Sequence, residues 1–223
     1  MKSAVKIALA VALLLIAAQM VLGSSIITMP TADVAPVGLI NLAAYSVNFD
    51  GMVGPSTGMG VYIAYAGIAK NLELEANVYD LNKGGDTWDF YVLTYQVVQE
   101  TDKMPKISVG AKNFLGETIA NGSTMNDDPT FFVAAVKTVM APAPGEPFSP
   151  VIRLHAGYGD NLHNGLFGGV QAMLTPQIGV AALNDAKQSL YAVTYKPYPE
   201  WPTFKAGTLG KHTWVGVDYD LKF

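Results

Sequence analysis

The sequence predicts an all-β protein: an antiparallel up-and-down transmembrane β-barrel of about twelve strands, with ten as the alternative count. Three observations predict it. Short segments alternate apolar and polar residues along most of the chain, their connections fall into two alternating kinds, and the last nine residues, "VGVDYDLKF", form an alternating strand ending on phenylalanine.

The chain has 223 residues, no cysteine, 50% hydrophobic residues and only 14% charged ones. A soluble domain carries closer to a quarter charged residues. Part of the deficit lies at the start. The basic segment "MKSAVK" leads into the apolar run "IALAVALLLIAAQMVLG", and Gly23, Ser24 and Ser25 follow. That is the anatomy of a cleaved signal peptide, with Val21 and Gly23 in the small-residue places. A retained anchor helix is the alternative, but the run is short, Gln19 interrupts it, and no basic stop-transfer cluster follows. The expected division is residues 1–23 as signal peptide, 24–37 as a periplasmic N-terminal segment and 38–223 as the barrel.

Removing Lys2 and Lys6 takes the formal net charge from −4 to −6. A mildly acidic chain excludes nucleic acid as the expected partner, because phosphate backbones call for a basic face. An exported chain without thiols has no disulfides, no thiolate zinc ligands and no cysteine nucleophile.

After Gly23 no apolar run approaches the length of a membrane helix, and period-two segments take over. In "NLELEANVYD", Leu72, Leu74, Ala76 and Val78 oppose Glu73, Glu75 and Asn77. In "KISVGAK", Ile107, Val109 and Ala111 oppose Lys106, Ser108, Gly110 and Lys112. In "VIRLHAGYGD", Ile152, Leu154, Ala156 and Tyr158 oppose Arg153, His155, Gly157 and Gly159. Strands are expected at about 38–49, 58–68, 72–81, 87–98, 105–115, 130–140, 150–159, 165–175, 178–184, 188–197, 202–209 and 212–223, many near the 9–11 residues of a tilted membrane strand. The odd-numbered links are rich in Gly, Asn and Asp, as in "NKGGD" and "GDNLHNG". Most even-numbered links carry proline, as in "KMP", "TPQ" and "YPEWP". Links that alternate in kind belong at opposite ends of an up-and-down array. A Greek-key sandwich has no reason to sort its loops by parity.

In the last strand Val215, Val217, Tyr219, Leu221 and Phe223 alternate with Gly216, Asp218, Asp220 and Lys222. This resembles the closing strand of Gram-negative outer-membrane barrels, whose terminal aromatic and alternate apolar residues form the segment the assembly machinery reads. The resemblance implies an outer-membrane location, outer-membrane lipid as surroundings, and periplasmic chaperones and the barrel-assembly machinery as partners in biogenesis. The stretch "IITMPTADVAPVGLINLAAY" resembles, over about 20 residues, the opening of the larger YjbH-type barrels associated with exopolysaccharide, in which a Pro-Thr-Ala element precedes the first strand.

The alternation assigns to the lumen Glu73, Glu75, Asn77, Lys106, Lys112, Lys137, Arg153, His155, Lys205, Asp218, Asp220 and Lys222. These side chains either line a polar passage for small solutes or pair with one another in a filled interior, since an isolated buried ion is costly. Eight strands leave room only for side chains and sixteen leave a channel, so twelve lies between. Of the histidines, His155 faces the lumen, and no serine in a nucleophile-elbow setting accompanies it, His163 or His212. Asn126, Asp127, Asp128, Asp160 and Asn161 offer oxygen ligands without a known calcium-loop spacing. The glycines of "GMGVYIAYAG" lie on a strand with no helix after them, unlike a phosphate loop. No enzyme, metal or cofactor is expected. Two girdles of aromatics are expected: Phe49, Trp88, Tyr158 and Phe167 at one end, Tyr198, Trp201, Phe204 and Phe223 at the other. The expected function is a porin-like passage or a structural envelope barrel. The alternatives are an interaction protein of exopolysaccharide export acting through the 116–129 loop, and a soluble periplasmic β-sandwich binding protein.

Overall fold

A computed structural model describes residues 25–26, 29–48, 58–80, 87–115, 119–120, 123–124, 128–141 and 150–223. The expected leader, residues 1–23, lies outside the described residues, as do Phe49, Asn126 and Asp127. Twelve strands form a single sheet that closes on itself. We number them β1 (Leu39–Asn48), β2 (Gly58–Ala69), β3 (Leu72–Asp80), β4 (Thr87–Val98), β5 (Lys106–Lys112), β6 (Thr130–Met140), β7 (Val151–Gly159), β8 (Gly165–Met173), β9 (Ile178–Asn184), β10 (Ser189–Tyr195), β11 (Thr203–Leu209) and β12 (His212–Lys222). Each pairs antiparallel with its neighbours in sequence. The sheet closes where β12 meets β1, from Trp214 opposite Val47 to Lys222 opposite Leu39. A closed sheet leaves no open edge, which hydrocarbon would not tolerate.

Odd- and even-numbered links do lie at opposite ends. The even links and both ends of the barrel share one end, called here the terminus end. The odd links, among them the β9–β10 and β11–β12 turns, occupy the loop end. Turn chemistry fixes both. Asn71 (φ 63°) and Gly210 (φ 59°) supply the left-handed backbone at the tight β2–β3 and β11–β12 links. The Asp185 carboxylate accepts from the amides of Lys187 and Gln188 at the β9–β10 turn.

Period two sorts the side chains. Among the described residues, every buried side chain of the twelve strands lies on the inward face, while Leu42, Tyr62, Val133, Leu154, Val170, Val193 and Val215 stand outward and exposed. Soluble proteins rarely expose contiguous apolar patches beyond a few hundred Å². An apolar band around a closed antiparallel barrel is a transmembrane-type surface. Tyr158, Tyr198, Trp201, Phe204 and Phe223 are exposed, as girdle residues are. Trp88 and Phe167, expected in the loop-end girdle, are inside instead: Phe167 is buried, and Trp88 packs against Tyr79 and Phe90 at ring-centroid distances of 5.1 and 5.0 Å. Both occupy inward places of their strands, so parity overrides position along the strand.

Candidate functional site: an occupied lumen

The loop-end half of the interior is a hydrophobic core. Val47, Val61, Phe90, Phe132, Phe167, Leu183, Leu190, Leu209 and Trp214 all belong to one buried cluster. Four of its rings face a glycine directly across the sheet: Phe132 opposite Gly110, Phe167 opposite Gly157, Trp214 opposite Gly207 and Tyr45 opposite Gly216. A Cβ built on Gly110, Gly157 or Gly216 would lie 2.1–2.2 Å from the facing ring, and one on Gly207 2.8 Å from it. The rings therefore lie against the wall in space that only a glycine leaves open.

The terminus-end half is filled differently, by the chain that precedes β1. Residues 24–37 were expected to precede the barrel on its periplasmic side, yet Met29, Thr31, Ala32, Asp33 and Ala35 are buried within it. We call residues 29–36 the strap. It carries two prolines, Pro30 and Pro36, and apart from the short Ser25–Ile26 and Met29–Pro30 pairing it has no strand structure. Polar contacts hold it to the wall. Asp33 Oδ1 accepts from Lys106 Nζ and from an Arg153 guanidinium nitrogen, each at 2.7 Å. The Ala35 amide donates to Glu73 Oε2 and the Ser108 hydroxyl donates to the Ala32 carbonyl, both at 2.7 Å. Gly67 lies under the strap's exit, where a Cβ would sit 2.3 and 2.4 Å from the carbonyl oxygens of Ala35 and Pro36.

Burial alone would raise the Asp33 pKa, but the Arg153 and Lys106 charges beside it hold the carboxyl down at about 2, against an ordinary 3.8. A carboxyl depressed on folding contributes stability above its ordinary pKa and loses it as pH falls through the folded value. The contribution at neutral pH is on the order of 2 kcal/mol. Protection of the strap amides in hydrogen exchange is therefore expected to persist from pH 7 to about 4 and to fall only as pH approaches 2. With Arg153→Gln the fall should begin at higher pH; an unchanged profile would contradict the clamp.

Across the lumen, other charges pair among themselves. Lys205 forms an ion pair with Asp218, whose Oδ1 also accepts from the Tyr45 hydroxyl at 2.7 Å. Asp220 accepts from Asn41 Nδ2 at 2.8 Å and from Lys196 Nζ at 3.3 Å. A recess of about 380 Å³ at the terminus-end rim is lined by Pro176, Pro197, Tyr198, Lys196 and Asp220. Glu75 accepts from Asn77 Nδ2 at 2.7 Å, and Lys112 stands 4.7 Å over the Phe90 ring. His155 is buried on the inward face, and Lys222 is exposed at the terminus-end rim.

No family model matches this chain. No curated protein matches it either. The functional reading therefore stands on the geometry of the interior.

Among the lumen candidates, Lys137 sits elsewhere. It shares the outward face with Val133 and Leu154, and its ammonium reaches the Thr101 and Asp102 carbonyls at 2.5 and 3.1 Å, with Glu100 at 3.7 Å. A long side chain near a strand end reaches polar partners beyond the apolar band. His163 is buried against Phe167 at 5.7 Å; burial, reinforced by the Lys112 charge, pushes it down to about 3, so it is neutral at pH 7. Asp160 and Asn161 serve the loop itself, accepting from the Phe131 amide and donating to the Pro129 carbonyl, each at 2.7 Å. Asp128 is exposed, and among the described residues no three metal-ligating side chains converge. The strap and the ring-on-glycine pairs were absent from the sequence reading. Asp33, conspicuous as the one charge in "TMPTADVAPVG", was the available signal.

Proposed function

We propose that this chain is an outer-membrane barrel of the Gram-negative type whose resting state is closed: a structural envelope barrel with no standing passage for solutes. The observation that carries this reading is the double filling of the lumen, by aromatic and aliphatic side chains toward the loop end and by the strap toward the terminus end. Twelve strands enclose more room than side chains alone occupy in an eight-stranded barrel, and the strap takes up that surplus. The terminus end faces the periplasm in this reading, and the odd-numbered links face outward.

The outward Val215, Val217, Tyr219, Leu221 and Phe223 support a biogenesis through periplasmic chaperones and the barrel-assembly machinery, which would meet this apolar row before β12 closes on β1. The surrounding partner is outer-membrane lipid, and the activity requires no cofactor. Two measurements test the proposal. Alkaline carbonate should leave the protein in the membrane fraction, and detergent should extract it with heat-modifiable migration. In planar bilayers the purified protein should be silent. Sustained conductance steps from the unaltered chain would overturn the closed state and restore the porin-like reading.

A further inference from the structure

We infer that the wall formed by β2, β3, β5 and β7 is a binding groove for an extended acidic peptide, and that the chain's own strap fills it in cis. The contacts are those of peptide recognition. Ser108 reads a carbonyl at Ala32, the Lys106–Arg153 pair reads the acid at Asp33, Glu73 reads an amide at Ala35, and Gly67 leaves room for the carbonyls that follow. Main-chain contacts give such a groove its affinity and the charged clamp gives it selectivity for an acidic residue.

The two halves of the lumen argue for an exchangeable occupant. The loop-end half is filled mainly by the strands' own apolar side chains, with Lys112 held over the Phe90 ring among them. The terminus-end half buries a charged wall instead, although a buried ion pair is seldom more stable than apolar residues of equal volume. A permanent filler needs no such wall; a ligand that arrives and leaves does. The strap is also poorly integrated with the sheet. Among the described residues its backbone meets the wall's ladder just beyond the strap, at the bridge between Val37 and Gly67, and Glu73 and Ser108 hold it through side-chain chemistry that another peptide can supply. Nor does the clamp satisfy both oxygens of the strap's acid. Asp33 Oδ2 is buried, with no hydrogen-bond partner among the described residues. The ligand is a second copy of this strap, an extended segment with one carboxylate side chain that meets the same wall contacts.

This goes beyond the closed-barrel reading and is tested apart from it, in detergent micelles, where neither conductance nor localisation enters. Asp33→Lys in the full chain sets a cation against Lys106 and Arg153 and should expel the strap. A fluorescent peptide of residues 29–37 should then bind the variant about tenfold or more tightly than it binds the unaltered chain, whose groove is filled, as read by anisotropy. The same peptide with asparagine at the place of Asp33 should lose about tenfold in affinity for the variant. No gain in binding by a variant that keeps heat-modifiable migration would overturn the proposal, and so would equal binding of both peptides. Should Asp33→Lys fail to fold, Asp33→Asn weakens the same contact without repulsion and is judged by the same two comparisons.

Discussion

Gly157→Ala is expected to destabilise the barrel severely, by roughly 3 kcal/mol, although it adds one methyl group to a residue type that strands ordinarily disfavour. The added carbon would stand 2.2 Å from two atoms of the Phe167 ring and 2.6 Å from the Val133 carbonyl oxygen. The ring has nowhere to retreat, since His163 and the buried cluster lie around it. Ala156, the next residue along the chain, faces outward and is exposed, so Ala156→Val should change stability by no more than about 0.5 kcal/mol. Combining Gly157→Ala with Phe167→Leu should cost less than the sum of the two, with a coupling of at least about 0.5 kcal/mol, because the smaller side chain gives way. Denaturant unfolding in detergent micelles measures all four. Wild-type stability for Gly157→Ala would mean that the ring does not lie on that glycine.

The same arrangement recurs at Gly110, Gly207 and Gly216, each beneath a ring from the adjacent strand. It explains how a wall of twelve strands becomes a packed interior on the loop side. Flat rings along the wall thicken it without leaving voids, and interiors reward native packing density.

What was legible in the sequence follows from what period two encodes. Alternation states which face a residue occupies, and "KISVGAK" or "VIRLHAGYGD" therefore yielded strand, face and lumen candidates at once. Turn chemistry gave the parity of the links. Alternation fails where both faces are apolar, as in "TFFVAAVKTVM". There the charge of Lys137 suggested the lumen, whereas its place near the strand end lets it leave the apolar band for the carbonyls of the β4–β5 link. Pattern also says nothing about register. That Gly157 faces Phe167 depends on how β7 meets β8, which is decided by pairing across the sheet. The strap was illegible for a different reason. Its prolines and small residues carry no period, so nothing local distinguishes a segment that enters a barrel from one that leads up to it. Contacts with distant residues place it inside, those of Asp33 lying more than seventy residues away.

Lys205→Met is expected to cost roughly 3–5 kcal/mol, because it leaves the Asp218 carboxylate in the interior without its cation, accepting from the Tyr45 hydroxyl. Both side chains of the pair are less than a tenth exposed. Replacing both, as Lys205→Met with Asp218→Leu, should cost less than the single change, since two desolvated charges vanish together and the volume is kept. The comparison separates the two states that a polar lumen can have. In a water-filled passage the same pair would behave like a surface ion pair, and losing one partner would cost about 0–1 kcal/mol with little coupling. A large single effect that the second substitution relieves means that Lys205 and Asp218 are part of a folded core. Small additive effects mean that water reaches them, and then the strap, rather than the packing of the wall, is what keeps this barrel closed.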